Sequence, residues 1–423
     1  MKVVLAAFER VSKNKKHGFG FISHQLAMEL HRAGLLGSLI CLGRDADIEI
    51  PPELVHVMGE HTAIRIARRI ISWLSRLVPG FNARLAEEIL FDRFVSHRSD
   101  LKRSDLLFCS RPLLARSVKQ ARKHGVQVWI QASIPHPMTN YELVRNEEMR
   151  LDLPCRGPYS DIKRALRISG ILSSADKILT PDREIGEYAY DDYLKIMGAE
   201  QILPLKKFFV SDAEAFADVS VEKAKTSIEG QVTFLHISHM NLIKGIPYLL
   251  DAWSLFKKDG GGAGCRLVLV GAMDQNIDEL VRQNYSELPD LEMAGFVPDI
   301  RPYMVLGDVF ISPSISDCGP GTISEAMGAG MPVISSRNCG AASLISEGVN
   351  GHTYPFNDVE ALSGLLRRFS DNRSKIREMG RSARDVAAQI SIGQYAEEIV
   401  GLIRSMADAS VPAIPGADSQ EDG

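Results

Sequence analysis

No stretch of this sequence approaches the roughly 20 consecutive apolar residues of a membrane span. The apolar run at the amino end, within MKVVLAAFERVSKNKK, is also too short for a secretory signal. A soluble, cytoplasmic protein is therefore expected. Cysteine is sparse and unpatterned: the six at positions 41, 109, 155, 265, 318 and 339 form no CxxC and no metal-ligand spacing. That argues against a disulfide framework or zinc module and for free thiols in a reducing setting. Nor does one sign of charge dominate, since a formal net charge of −4 gives no general reason to bind nucleic acid. A dinucleotide fingerprint is missing too: Gly18-Phe19-Gly20 lacks the third glycine and the acidic residue, so a nicotinamide enzyme is not expected.

What is present is a globular composition, 45% hydrophobic and 24% charged, over 423 residues. That length suggests two domains of about 200 residues each. Lys2–Ala7 reads as a short buried strand, followed by a glycine loop through Gly20 and an apolar-periodic helix from Phe21 to Ala33. Ser38–Leu42, Leu106–Cys109, Val126–Gln131 and Lys177–Thr180 read as further strands with helices between most of them. A second series follows: Val232–Ile237, Arg266–Gly271, Leu291–Phe296, Asp308–Ser314 and Pro332–Ser336. Alternation of this kind implies right-handed crossovers and parallel sheets covered on both faces, hence two doubly wound α/β halves. The divisions expected are a domain at 1–206, a polar linker at 207–230, a second domain at 231–390, a terminal helix at 391–408 and a disordered tail at 409–423. Whether that terminal helix covers its own domain or returns to the first is left open by the sequence. Within 64–81, Arg65, Arg68, Arg69 and Arg76 fall on one helical face and Ile66, Ile70, Trp73, Leu74, Leu77 and Phe81 on the other. Such a segment can lie on an anionic membrane surface or serve as an ordinary surface helix.

The stretch from Ser316 to Val333, SDCGPGTISEAMGAGMPV, opens a helix directly after a strand, with Gly330 placed as its stop. It therefore sits at the carboxyl end of a parallel strand, where open α/β sheets bind ligands. Free backbone N–H groups and the positive helix end suit a phosphate, and Gly319 and Gly321 let the backbone approach it. Glu325, one turn in, can accept hydrogen bonds from a vicinal diol such as a ribose. Asp317, at the loop mouth, can hold hydroxyls of whatever the phosphate carries. On the first loop of the same half, Lys244 precedes Gly245 and an apolar-periodic helix, so its ammonium and the Asp317 loop can face a single diphosphate.

At these residues the second half resembles the donor domain of retaining GT-B glycosyltransferases of family four, the glycosyl transferases group 1. PSISDCGPGTISEAMGAGMPVI fits the E-x7-E phrase of that family, with Asp317 in place of the first glutamate and Glu325 as the second. EGVNGHTYPFNDVEAL, KGIPYLLDAW and RLVLVGAMD are similar to further family phrases, so the likeness covers most of 231–370. In the first half, the strand leading to IQASIPHP resembles a subgroup with an RGSSH segment, with His136 at the histidine and Glu147 or Glu148 at the acids that follow. The resemblance implies a GT-B fold, two Rossmann-like domains facing across a cleft. It also implies transfer of a sugar, with retained configuration and without metal or other cofactor, from a nucleotide diphosphate sugar to an acceptor hydroxyl. The acceptor is a glycan, a lipid-linked glycan or a small molecule, polysaccharide biosynthesis being one setting, and the 64–81 segment allows peripheral contact with the inner membrane face.

In the roles so implied, Lys244, the N–H groups around Gly319, Gly321 and Thr322 and, weakly, His239 stabilise the leaving diphosphate. Glu325 binds the ribose, Asp317 the sugar hydroxyls and His136 the reacting face, while the loop at Gly18 and Gly20 closes from the opposite domain. His239 stands where the family has an arginine and titrates nearer neutrality than a guanidinium. Asp45-Ala46-Asp47 is a DxD far in sequence from these motifs and reads as a solvated loop rather than a metal site. Two rivals remain: a catalytically weak nucleotide-sugar-binding partner subunit, and a nucleotide-sugar epimerase of the same fold.

Overall fold

The computed structural model describes residues 1–13, 18–78, 81–132, 135–154, 157, 159–206, 216–219, 231–317, 319 and 321–409, without the side chains of 184–186 and 409. The expected linker at 207–230, apart from 216–219, and the expected tail beyond 409 lie outside the described residues, as do His17, Cys155, Cys318 and Pro320.

Two all-parallel sheets form, each because its central strands are apolar on both faces and must be covered twice. The first holds β1 (Val3–Val11), β2 (Leu36–Arg44), β3 (Val55–Val57), β4 (Leu106–Cys109), β5 (Gln127–Gln131), β6 (Lys177–Pro181) and β7 (Ile202–Leu205). Its order is β3-β2-β1-β4-β5-β6-β7. The second holds β8 (Val232–Ile237), β9 (Cys265–Val270), β10 (Leu291–Gly295), β11 (Val309–Ser312), β12 (Val333–Ser336) and β13 (Gly351–Tyr354), in the order β10-β9-β8-β11-β12-β13. In both sheets the order reverses beside the first strand, between β1 and β4 and between β8 and β11. The loops leaving the carboxyl ends of those four strands flank two topological switch points, the crevices where such sheets take ligands.

The strands that sequence reading passed over, β3, β7 and β13, are all at sheet edges. Edge strands are short and admit proline and polar residues because one side of the ladder is open. VHV and GHTY accordingly show no apolar run, and ILPL is broken by a proline.

Among the described residues, two helices reach into the core of the opposite half, and helix Arg183–Met197 packs against the Gly340–Leu344 turn. Helix Ile392–Ala409 buries Tyr395, Ile399, Val400 and Ile403 in the core of the first sheet, beside Leu26 and Leu30 of helix Phe19–Arg32. Its Glu398 also accepts a hydrogen bond from the Lys206 backbone at 2.9 Å. In the opposite sense, helix Pro137–Arg150 of the first half buries Val144 among core residues of the second. There Glu147 accepts a hydrogen bond from the Tyr248 hydroxyl at 2.7 Å, and the Arg150 guanidinium lies 4.6 Å from the centre of the Tyr248 ring.

The turn that carries Lys244 depends on one glycine. Gly245 adopts φ +70, and a Cβ there would stand 1.9 Å from the carbonyl oxygen of Pro313 at the end of β11. Gly245→Ala is therefore expected to lower stability by about 1–3 kcal/mol, the usual cost of a strained backbone position. Thermal unfolding of the variant checks this, and an unchanged transition would show that the turn relaxes freely.

Candidate active site

The loop after β8 is built as a short 3-10 turn, Leu242–Lys244, closed by left-handed Gly245 before helix Ile246–Lys258. Its neighbour, the loop after β11, is pinned on two sides. Ile315 N–H donates to the Ile243 carbonyl at 2.8 Å, which joins the two loops. Asp317 N–H donates to Asn338 O at 3.0 Å and Gly340 N–H donates to Asp317 O at 2.8 Å, which fixes the backbone beneath the carboxylate. The carboxylate then accepts from Gly319 N–H at 3.3 Å and forms an ion pair with the Lys244 ammonium. Burial opposes charge on Lys244, but the adjoining Asp317 outweighs it, so the ammonium pKa lies above its ordinary value. Behind the pair, burial and the nearby Asp317 push the Cys339 thiol up to about 12, so it is no nucleophile. His236, inside β8, is pushed down to about 4 chiefly by burial and donates from Nδ1 to the Ile311 carbonyl at 2.8 Å. A neutral imidazole thus backs the cationic turn.

Gly321 begins the helix Gly321–Gly328, with its first-turn N–H groups at the loop mouth. Gly330 ends it at φ +76, the left-handed stop expected of that glycine. Thr322 lies in the first turn, and Glu325 lies on the second, 2% exposed.

These loops form one wall of a cavity of about 300 Å³. Of the residues expected from sequence, Lys244, Asp317, Gly319, Gly321 and, from the opposite domain, Gly18 line it. Gly18, at φ +78, caps helix Phe19–Arg32, which starts two residues before the expected Phe21. Gly20 is inside that helix, and its lack of a side chain serves packing, since a Cβ would meet the Arg10 carbonyl oxygen at 2.2 Å.

His136, His239, Thr322 and Glu325 stand outside the cavity wall. His136 is 1% exposed. It caps helix Pro137–Arg150 by accepting at Nδ1 from Met138 N–H at 3.3 Å, its Nε2 lies 3.4 Å from the Ser169 hydroxyl, and burial lowers its pKa. Its neighbours Pro137 and Asn140 reach the cavity instead. Glu147 takes the domain-seam bond already described, and Glu148 accepts from Ser160 and pairs with Arg145 at 3.3 Å. His239 Nε2 hydrogen-bonds Asp274 at 2.7 Å, and that partner raises the imidazole pKa above its ordinary value against the effect of partial burial. In the DxD, Ala46 and Asp47 are exposed, and the partly buried Asp45 accepts from Arg10 Nε at 3.2 Å and the Ser12 hydroxyl at 2.6 Å.

Sequence reading missed the other wall. Arg84, Arg111 and Arg164 enter the cavity from the first domain together with Phe19, Leu113 and Tyr193. They come from three separate segments and share no motif, so only the folded chain brings them together.

Removing the counterion should unmask the burial of Lys244: in Asp317→Asn its pKa is expected to fall. Titration of the lysine resonances by NMR reads this, and an unchanged midpoint would show that Asp317 does not govern the ammonium.

With this geometry in hand, residues 231–372 match the family described as Glycosyl transferases group 1. The amylovoran biosynthesis glycosyltransferase AmsK of Erwinia amylovora is 25% identical over 163 residues, covering 36% of this chain and 40% of the relative. The chain thus spans less than half the length of the first curated relatives it matches. Among solved structures, sucrose-phosphate synthase from Thermosynechococcus elongatus superposes with a TM-score of 0.68 at 19% identity, covering 97% of this chain and 100% of that one. Anabaena HepE in complex with UDP-glucose gives 0.63 at 15% identity, covering 96% and 100%. Residues 231–372 therefore resemble the glycosyl transferases group 1 family, and the chain as a whole has the α/β GT-B fold.

Proposed function

We propose that the chain is a retaining, metal-independent glycosyltransferase that moves a sugar from a nucleotide diphosphate sugar to an acceptor hydroxyl. The observation that carries this reading is the meeting of Lys244, Asp317 and the first turn of helix Gly321–Gly328 on one cavity wall, with Gly18 opposite. The family match of 231–372 supports it, as do a solved neighbour that holds UDP-glucose and relatives named for polysaccharide biosynthesis.

In the reaction, the bond between the anomeric carbon and the diphosphate oxygen breaks, and the diphosphate departs with the electron pair. The acceptor oxygen bonds to the same carbon on the same face, and its proton passes to the departing phosphate oxygen. Charge develops on the leaving group, so groups that bind that charge lower the barrier most. The diphosphate displaces Asp317 from Lys244, because it brings more negative charge to the ammonium than one carboxylate does. Asp317, so released, turns to the sugar hydroxyls, and the N–H groups of Gly319, Gly321 and Thr322 receive the phosphates. His239, held by Asp274, adds positive charge below its raised pKa and loses it above. Glu325 takes the ribose. His136 holds the start of helix Pro137–Arg150, whose Pro137 and Asn140 face the sugar. Closure of the Gly18 loop expels water and limits hydrolysis.

Helix Thr62–Leu77 supports a membrane-borne acceptor. None of its residues is buried, and Ile66, Ile70, Trp73 and Leu77 are each more than half exposed. Arg65, Arg68, Arg69 and Arg76 occupy the same helix, and each basic residue near an anionic surface contributes about 1 kcal/mol. We read it as a helix lying in the membrane interface. No helix among the described residues is long and apolar enough to cross a membrane.

Calorimetry with UDP, GDP, ADP and their sugar conjugates tests the catalytic reading. One nucleotide should bind, and Lys244→Ala and Glu325→Ala should each weaken it by about tenfold or more, as expected for lost charge-assisted hydrogen bonds. Absence of binding to any of them would leave the partner-subunit reading ahead. Flotation with vesicles tests the helix: the wild type should bind phosphatidylglycerol vesicles and not phosphatidylcholine ones, and Ile70→Glu with Trp73→Glu should abolish binding. Retention of binding by that double variant would sink the interfacial role.

A further inference from the structure

The cavity has an arginine-bearing wall that the donor chemistry leaves unused. Arg84 and Arg164 both reach Glu88, which is fully buried, at 3.0 and 2.8 Å. Arg111 meets Glu9 at 3.4 Å, and its guanidinium lies 3.9 Å from the centre of the Phe19 ring. Arg84 likewise lies 4.6 Å from the Phe8 ring centre. Arg84, Arg111 and Arg164 thus hold the Glu88 and Glu9 carboxylates on the first-domain wall, across the cavity from the Lys244–Asp317 pair. Planar guanidiniums held by a carboxylate on one edge and an aromatic face below are preorganised for bidentate contact with phosphate oxygens.

We infer that Arg84 and Arg111, with Arg164 securing Glu88 beneath them, receive a phosphate or diphosphate group of the acceptor. This rests on the glycosyl-transfer reading and names the acceptor's chemical class. The donor's diphosphate is met by Lys244 and the helix at Gly321 on the second domain, and the arginines lie on the opposite wall, where the acceptor enters. Arg84 also begins helix Ala83–Ser96, which packs beside the exposed helix Thr62–Leu77 through Arg68 and Glu87 at 3.0 Å. An anionic group on a lipid carrier would reach the arginines from that surface, whereas a water-soluble phosphorylated acceptor would enter by the open cleft. Both present the same phosphate.

The test uses the full chain carrying Lys244→Ala, so that the donor phosphate cradle is disabled, with inorganic pyrophosphate and geranyl diphosphate as calorimetric probes. At least one probe should bind. Adding Arg111→Gln or Arg84→Gln should weaken it by about tenfold or more, the worth of one charge-assisted hydrogen bond. Arg111→Lys should lose less. Should Arg84→Gln unfold because Glu88 loses a partner, Arg111→Gln, which does not touch Glu88, decides the matter. Tighter binding of geranyl diphosphate than of pyrophosphate supports a lipid-linked acceptor, and equal binding supports a soluble phosphorylated one. No binding of either probe, or binding unchanged in folded arginine variants, overturns the inference. Persistence of nucleotide binding by the wild type in that event would leave the glycosyl-transfer reading standing, and its loss would remove both.

Discussion

The ammonium of Lys244 and the carboxylate of Asp317 meet between the loops that leave β8 and β11, and the rest of the site is arranged around that meeting. A half-buried ammonium needs a counterion, and here the loop on the other side of the switch point supplies it. Asp317 is held for that purpose by backbone bonds to Asn338 and Gly340, while Lys244 is delivered by a turn that Gly245 alone permits. The ion pair neutralises the wall in the absence of ligand. On the proposed reading it also makes the wall exchangeable, since a diphosphate would bring more negative charge to the same ammonium than a single carboxylate does.

The same topology is repeated across the cleft. Gly18 follows β1 and Arg111 follows β4, so the first domain presents the loops of its own switch point to those of the second. Two helical crossings into the opposite core help to hold these faces in register. Helix Pro137–Arg150 sends Val144 and Glu147 into the second half, and helix Ile392–Ala409 returns from the second half to the core of the first. His136 sits where the first of these crossings begins, which accounts for its burial and its bonds to Met138 and Ser169. A side chain so placed influences the cavity through Pro137 and Asn140.

The strands at the centres of both sheets were legible because burial on two faces demands uninterrupted apolar runs, as in VVLAAF and VTFLHI. Edge strands such as ILPL and GHTY were not, because an open edge relaxes that demand. On the site, a contiguous phrase put Asp317, Gly319, Gly321 and Glu325 within one loop and helix, and the spacing to Lys244 followed from its place after the first strand of the same half. The titration of His239 was not legible, since Asp274, which raises it, arrives from the next β–α loop.

What the sequence by itself determined is what local backbone chemistry determines: a strand, a glycine turn and a helix start that expose N–H groups, and an amphipathic segment at 64–81 with arginines on one face and apolar residues on the other. What only the tertiary structure decided are the relations between residues far apart in the chain. The ion pair of Lys244 with Asp317, the burial of His136, the return of the last helix to the first domain and the gathering of Arg84, Arg111 and Arg164 on one wall all require the two sheets to be wound and docked. Periodicity and turn chemistry act over a few residues, whereas charge pairing and burial depend on which loops the crossovers bring to the same edge.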